Sequence, residues 1–249
     1  MQAVLFPGQG SQYVGMGLEF YNKFDLAKKI FRDVDDALGF SLSKIILDGP
    51  DGKLMSTENT QPAIMTVGVS IFNVLNQEYG LNLNKANFYA GHSLGEYTAL
   101  VCSEALDIKK AAYLLHERGK AMQNAVAKEK GAMLAILGMS LNEVESEIQE
   151  YQSKGVCEIS NDNSNSQVVV SGEKKIIENL NENLKRKKKK GIILPVSAPF
   201  HCSLMKIAAE NMKNKIENTD FQTPKINIIS NVTAKEENDI NKIKLLLID

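Results

Sequence analysis

The chain has 249 residues, 43% hydrophobic and 24% charged, with 29 Lys+Arg against 30 Asp+Glu. That length allows one large domain or a domain with a sizeable insert, and a net charge of −1 speaks against a nucleic-acid binder, which carries a basic excess. No apolar run approaches the roughly 20 residues that span a bilayer, the N-terminus lacks a basic n-region with a long apolar stretch behind it, and the scattered Cys102, Cys157 and Cys202 fit a reduced, cytoplasmic chain rather than a disulfide scaffold.

In chain order, Ala3–Phe6 reads as a short strand broken by Pro7-Gly8-Gln9-Gly10. A helix over 25–38 puts Ile30, Phe31, Val34 and Leu38 on one face, and Gly39 stands at its C-cap. A second, more apolar helix is expected over 62–79. A strand at 88–90 enters Gly91-His92-Ser93-Leu94-Gly95, followed by helices over 96–105 and 108–126. Beyond Gly131 the spacing predicts strand 132–137, helix 141–151 and strand 156–159. A stretch dense in turn formers at 161–166 is followed by strand 167–170, helix 174–190 and strand 192–196. This β-α-β-β-α-β order is ferredoxin-like. Alternation of strands and helices resumes after it, so it reads as a small subdomain inserted in a larger α/β unit.

Gly91 to Gly95 fits G-x-S-x-G at a strand-to-helix junction, where a sharp turn presents the serine Oγ and the helix N-terminus behind it supplies amide donors. A nucleophilic serine needs a base, and the chain has three histidines. His92 adjoins Ser93 on the turn, so its ring is expected to point away from Oγ, and His116 lies within a helix. His201, in a loop just past a strand, is left as either the base or a surface histidine. Arg118 falls on the apolar stripe of Ala111, Leu114, Leu115 and Met122. A guanidinium facing inward must be paired, either by an internal Asp or Glu or by a substrate carboxylate gripped bidentately.

Gly8-Gln9-Gly10-Ser11-Gln12 fails as a phosphate loop because Tyr13 stands where the third glycine belongs. It is either a plain glycine turn or a source of backbone N–H groups for an oxyanion. Residues 185–190 place six cations at a helix end, as a solvated face or as a docking patch for an acidic partner. Cys202 reads as a packed small residue. No Cys/His spacing suggests a metal.

Phe6-Pro-Gly-Gln-Gly-Ser-Gln12, Thr60-Gln-Pro-Ala63, Gly91-His-Ser-Leu-Gly-Glu-Tyr97, Glu117-Arg-Gly119, Gln167-Val-Val-Val-Ser-Gly172 and Pro195-Val-Ser-Ala-Pro-Phe-His201 together resemble the malonyl-CoA:acyl-carrier-protein transacylases of dissociated fatty-acid synthesis. The resemblance covers the whole chain in order. It departs at Asn165-Ser166, where the family usually has Pro-Gly; both pairs suit a turn. The fold it implies is α/β: an α/β-hydrolase-like large subdomain with a parallel sheet (1–127 and 199–249) and an inserted ferredoxin-like small subdomain (128–198).

Carried over by position, the resemblance makes Ser93 the nucleophile and His201 its base, the amides of Gln9 and Leu94 the oxyanion hole, and Arg118 the ligand of the malonyl carboxylate. His92, Asn163 and Phe200 are expected to line the substrate pocket. No bound cofactor or metal is implied; the substrates are malonyl-CoA and the phosphopantetheine of acyl carrier protein. That acidic partner is expected to dock on a basic surface including Lys185, Arg186 and Lys187, with the enzyme a cytoplasmic monomer. Members of the family run some tens of residues past the helix that begins near Asn238. A C-terminal truncation is therefore expected, with the residue that orients His201 at or beyond Asp249. The competing expectations are a serine hydrolase on an α/β-hydrolase scaffold and an inactive fragment that binds CoA or the carrier.

Overall fold

The computed structural model describes residues 2–127, 129–196 and 198–248. The chain divides into two compact units, Met1–Lys120 with Met212–Asp249, and Ala121–Asn211. The larger unit begins with β1 (Ala3–Phe6), α1 (Leu18–Lys23), α2 (Asp25–Leu38), α3 (Leu42–Asp48), α4 (Asp51–Leu54) and α5 (Thr57–Gln77). It continues through β2 (Phe88–Gly91), α6 (Gly95–Cys102) and most of α7 (Ile108–Asn124). The smaller unit holds β3 (Gly131–Leu137), α8 (Leu141–Gln152), β4 (Cys157–Ser164), β5 (Gln167–Glu173), α9 (Lys174–Arg186) and β6 (Lys190–Ile193). Helix α10 (Lys206–Asn218) leads back to β7 (Asn227–Ile229), β8 (Glu236–Glu237) and α11 (Ile240–Ile248) of the larger unit.

The larger sheet has the order β1-β2-β7-β8. β1 and β7 both run parallel to β2, and β8 closes the edge antiparallel to β7. Parallel neighbours cannot be joined by a tight turn, so the helices α1 to α5 carry the chain from β1 to β2. Phe6 stands in register with Gly91, and Ala90 with Ile229. The loops that follow all three strands therefore leave from one edge, where open α/β sheets collect their functional groups. On α2, Ile30, Phe31 and Val34 are buried as the spacing requires, Ala27 joins them, and Leu38 is half-buried. Gly39 takes φ 73° at the cap, a conformation that costs a residue with a Cβ.

Helix α5 starts at Thr57, ahead of the expected start at Pro62. An interior proline leaves the carbonyl four residues back without a donor. Here that carbonyl, Glu58 O, receives His116 Nδ1 at 2.9 Å, so the helix runs through the proline without an orphaned acceptor.

The smaller sheet has the order β4-β5-β3-β6 with every pair antiparallel, which is the ferredoxin-like arrangement. Leu134, Ile136, Val168 and Val170 pack on Val144, Ile148, Ile177 and Leu180 of α8 and α9. The opposite face puts Met133, Ala135 and Val169 against Ala198, Phe200, Met205 and Ala208. Burial on both faces explains why β3 is a continuous apolar run rather than an alternating one. The fold class is α/β, an α/β-hydrolase-like subdomain with a mainly parallel sheet and a ferredoxin-like one.

Other local expectations in the smaller unit are corrected as well, among them the last strand, which is Lys190–Ile193 and not 192–196. The segment 161–166 is mostly strand: β4 continues to Ser164 and only Asn165-Ser166 turn. Pairing with the buried valines of β5 overrides the local turn preference, and the ladder absorbs the mismatch in register shifts at Ile159/Asn161 and Asp162/Ser164. The helix expected to reach 190 stops at Arg186. Leu184 is the last buried residue of its apolar stripe. Lys188 then takes φ 59°, and Lys189 N closes onto Leu184 O at 2.8 Å. This frees Lys190 to open β6 against Leu137.

Candidate active site

Gly91 ends β2, Gly95 begins α6, and Ser93 between them has φ 53°. A Cβ on Gly91 would stand 1.9 Å from the Gly95 carbonyl, and one on Gly95 would stand 2.6 Å from Phe6 O. The ends of β1 and β2 and the start of α6 thus meet at backbone contact, which only glycine permits. A serine in the left-handed region costs about 1 kcal/mol or more, so its surroundings must hold it there. Ser93 is half-buried and Leu94 buried. Among the described residues of the larger unit, the Gln9 and Leu94 amides donate to no protein acceptor. His92 is exposed, donates its amide to Phe6 O at 3.0 Å, and lays its ring against Gly8, where a Cβ would meet Nδ1 at 2.5 Å.

Helix α7 brings a cation to this turn. A Cβ on Gly119 would lie 2.5 Å from Glu58 Cα and from Thr57 O, so α7 rests directly on the first turn of α5. From that contact Arg118 donates through Nη1 to Gln61 Oε1 at 2.9 Å and through Nη2 to Ser93 Oγ at 3.2 Å. Its Cζ lies 6.0 Å from the centroid of the Tyr97 ring. Ala111, Leu114 and Leu115 beside it are buried. Among the described residues of the larger unit, no carboxylate lies within ion-pair distance of Arg118, and the buried Glu96 is the carboxylate whose charge acts on it. Burial lowers the Arg118 pKa, opposed by Tyr97 and Glu96. Tyr97 itself is buried and pushed up to about 12, chiefly by that burial.

Two contributors lacked any assigned role from sequence. Gln61 lies in the Thr60-Gln-Pro-Ala63 motif, but only its distance to Arg118 shows its use. Asn231 belongs to no motif, yet it bonds the Ser93 amide, the Gly91 carbonyl and the buried Glu96 carboxylate. The one signal for it is its position just past a strand at the sheet edge that carries the elbow. His116 is committed to the Glu58 carbonyl and packs its ring 5.3 Å from that of Phe40.

In the smaller unit, His201 is half-buried with φ 56°, in the loop between β6 and α10. Phe200 before it is buried against Met133 and Val169. Pro199 covers Gly131 so closely that a Cβ there would meet the proline ring at 2.2 Å. Cys202 Sγ donates to Pro199 O at 3.1 Å, and the Glu158 carboxylate accepts from Ser203 N at 2.7 Å and Ser203 Oγ at 2.6 Å. Asn163 is exposed in the irregular part of β4, 3.3 Å from Gln167 Oε1 through Nδ2. Arg186 pairs with Glu182 at 3.8 Å, Lys187 with Glu147 at 2.8 Å and Lys189 with Glu143 at 3.9 Å. Ser197 and Asp249 lie outside the described residues. Among the described residues no cluster of three His, Cys, Asp or Glu could hold a metal, and no helix is long and apolar enough to cross a membrane.

A strained serine on an elbow with an arginine against its hydroxyl suits acyl transfer, and the comparisons agree. A model of the acyl transferase domain matches residues 4–243. The malonyl CoA-acyl carrier protein transacylase of Bacillus subtilis (strain 168) is 39% identical over 249 residues, covering 99% of this chain and 77% of that protein. The chain belongs to this family. A second Bacillus subtilis member is 39% identical over 246 residues, and the chain spans 60% of its length. The crystal structure of the acyl-carrier-protein-S-malonyltransferase from Bartonella henselae superposes with a TM-score of 0.95 at 42% identity, covering 100% of this chain and 80% of that one. A further family structure is a complex, PlMCAT:AntF (holo), of a type II PKS acyl-carrier protein with its malonyl-transacylase. It aligns with a TM-score of 0.93 at 37% identity, over 99% of this chain and 79% of that one.

Proposed function

We propose that the chain is an acyltransferase that moves the malonyl group of malonyl-CoA to the phosphopantetheine thiol of acyl carrier protein, supplying malonyl carrier for fatty-acid elongation. The observation that carries this reading is the Arg118 guanidinium 3.2 Å from Ser93 Oγ. An acyl group that bears a carboxylate can be esterified to that serine and gripped by that cation.

In the proposed reaction, His201 takes the Ser93 proton as Oγ attacks the thioester carbonyl. The amides of Gln9 and Leu94 receive the oxyanion, the kind of preorganised stabilisation that is often the largest catalytic term. The C–S bond breaks, the CoA thiolate takes the proton from His201, and a malonyl-serine ester remains. The carrier thiol gives its proton to His201 and attacks the ester; the C–Oγ bond breaks and Ser93 Oγ takes that proton back from His201, a ping-pong course. In this reading Asn163, Phe200 and His92 line the acyl pocket, and the functional division is a large subdomain (1–127 and 199–249) with a small one (128–198). The carrier docks on a basic surface including Lys185, Arg186 and Lys187, and the enzyme works as a cytoplasmic monomer.

Incubation with malonyl-CoA and a holo acyl carrier protein tests the proposal. Malonyl-loaded carrier is expected; rapid release of free malonate with unloaded carrier would mark a hydrolase instead.

A further inference from the structure

Asn231 stands two residues past the end of β7, and β7 pairs in parallel with β2, the strand that delivers the elbow. Topology therefore sets it beside Gly91 and Ser93, although 138 residues of sequence separate it from the serine. Every polar atom of its side chain is used. Oδ1 accepts from the Ser93 amide at 3.1 Å, and Nδ2 donates to Gly91 O at 2.8 Å and to Glu96 Oε2. Its own amide donates to the same Glu96 oxygen at 3.0 Å. The chemistry of the neighbours fixes the orientation: a donor faces Oδ1 and two acceptors face Nδ2, so a flipped amide would lose all three bonds.

Glu96 explains why Asn231 is held so firmly. It lies in the first turn of α6, only 4% exposed. A buried carboxylate needs hydrogen-bond donors to compensate for lost water, and Asn231 supplies two. The charged group that acts on Glu96 from a neighbouring element is Arg118 on α7. Glu96 thus fixes Asn231, and Asn231 spans the elbow from the carbonyl of Gly91 to the amide of Ser93. Those are the two ends of the segment whose torsion is strained. A left-handed non-glycine residue persists only where its surroundings over-determine it.

We propose that Asn231, seated on the buried carboxylate of Glu96, is a positioning residue that holds Ser93 in its left-handed conformation and so sets the direction of Oγ. Its consequence for catalysis rests on the reading of Ser93 as the nucleophile; its consequence for the backbone does not. Misplacement of a reacting atom by about 1 Å costs on the order of 100-fold in rate, so a relaxed elbow lowers acylation without touching the grip of Arg118 on the acyl carboxylate.

The test uses the full chain in wild-type, Asn231→Ala and Asn231→Asp forms, with two readouts: hydrogen exchange at the Ser93 amide, and the single-turnover rate of Ser93 acylation by malonyl-CoA. Asn231→Ala is expected to lose protection at Ser93 and to acylate roughly 10- to 100-fold more slowly, with unchanged half-saturation in malonyl-CoA. Asn231→Asp keeps an acceptor for the Ser93 amide but sets a second carboxylate against Glu96. Two such groups cannot both ionise easily, so its acylation rate relative to wild type should rise as pH falls. A purely structural role would give a loss independent of pH. Wild-type protection at Ser93 in both variants, or wild-type acylation rates, would overturn the proposal. If the wild-type chain is not acylated at all, the proposed function falls, and the exchange measurement still decides the role of Asn231.

Discussion

The Arg118 guanidinium donates to the hydroxyl oxygen of Ser93 at 3.2 Å. It therefore meets a lone pair of Oγ, not the hydroxyl proton. Gln61 holds the other arm of the fork at 2.9 Å, so the cation is aimed before any substrate arrives. An incoming acyl carboxylate would replace weak neutral partners with a charged one.

Removing the guanidinium should therefore change selectivity more than chemistry. Arg118→Ala is expected to lower the ratio of malonyl to acetyl transfer by roughly 10- to 100-fold, the worth of a hydrogen bond to a charged group. Competition between malonyl-CoA and acetyl-CoA for Ser93 measures it. An unchanged ratio would remove Arg118 from the acyl site.

Gln61→Glu puts a carboxylate in place of the neutral amide that Arg118 Nη1 meets at 2.9 Å. The new ion pair competes with the substrate, so KM for malonyl-CoA should rise by about tenfold or more, with a smaller change for acetyl-CoA. Steady-state kinetics on both thioesters distinguish this from a general loss, which would lower the two alike.

Gly119 sets the distance between α7 and α5. A methyl group there meets the backbone of Glu58 at 2.5 Å, and backbone cannot step aside as a flexible side chain can. Gly119→Ala should cost about 1–3 kcal/mol or more, seen as a lower urea midpoint. It should also weaken malonyl selectivity by displacing Arg118. A variant as stable as wild type would show that the helices separate without cost.

Glu96 has its pKa raised above the ordinary 4.5, first by burial, against the opposing hydrogen bonds of Asn231 and the charge of Arg118. The folded state thus holds this proton more tightly than the unfolded state. The associated stability is present below about pH 4.5 and is lost as pH rises through the folded value. Glu96→Gln has no such titration. The stability of wild type relative to this variant should therefore fall with rising pH from that point, measured by urea unfolding across the window. Parallel profiles would contradict it.

Much of the site was legible wherever local rules and tertiary demand coincide. The two glycines of the elbow, the inward phase of Arg118 and the order of elements in the smaller unit all follow from spacing. Legibility failed where a distant contact overrides a local preference. Pro62 looked like a helix start because nothing local reveals that His116 would satisfy the carbonyl it frees. Asn161 to Ser164 looked like a turn because their pairing with β5 is supplied by another segment. Asn231 was invisible for the same reason: its partners come from an element far away in sequence, and only the parallel pairing of β2 and β7 brings them together.

In the proposed function, Ser93 carries the malonyl group between two thiols. The most direct measurement is mass spectrometry of the proteolysed chain after brief exposure to malonyl-CoA. A malonyl ester is expected on the peptide that contains Ser93, absent from Ser93→Ala and discharged when holo carrier protein is added. An unmodified Ser93 peptide, or an adduct that the carrier thiol does not discharge, would contradict it.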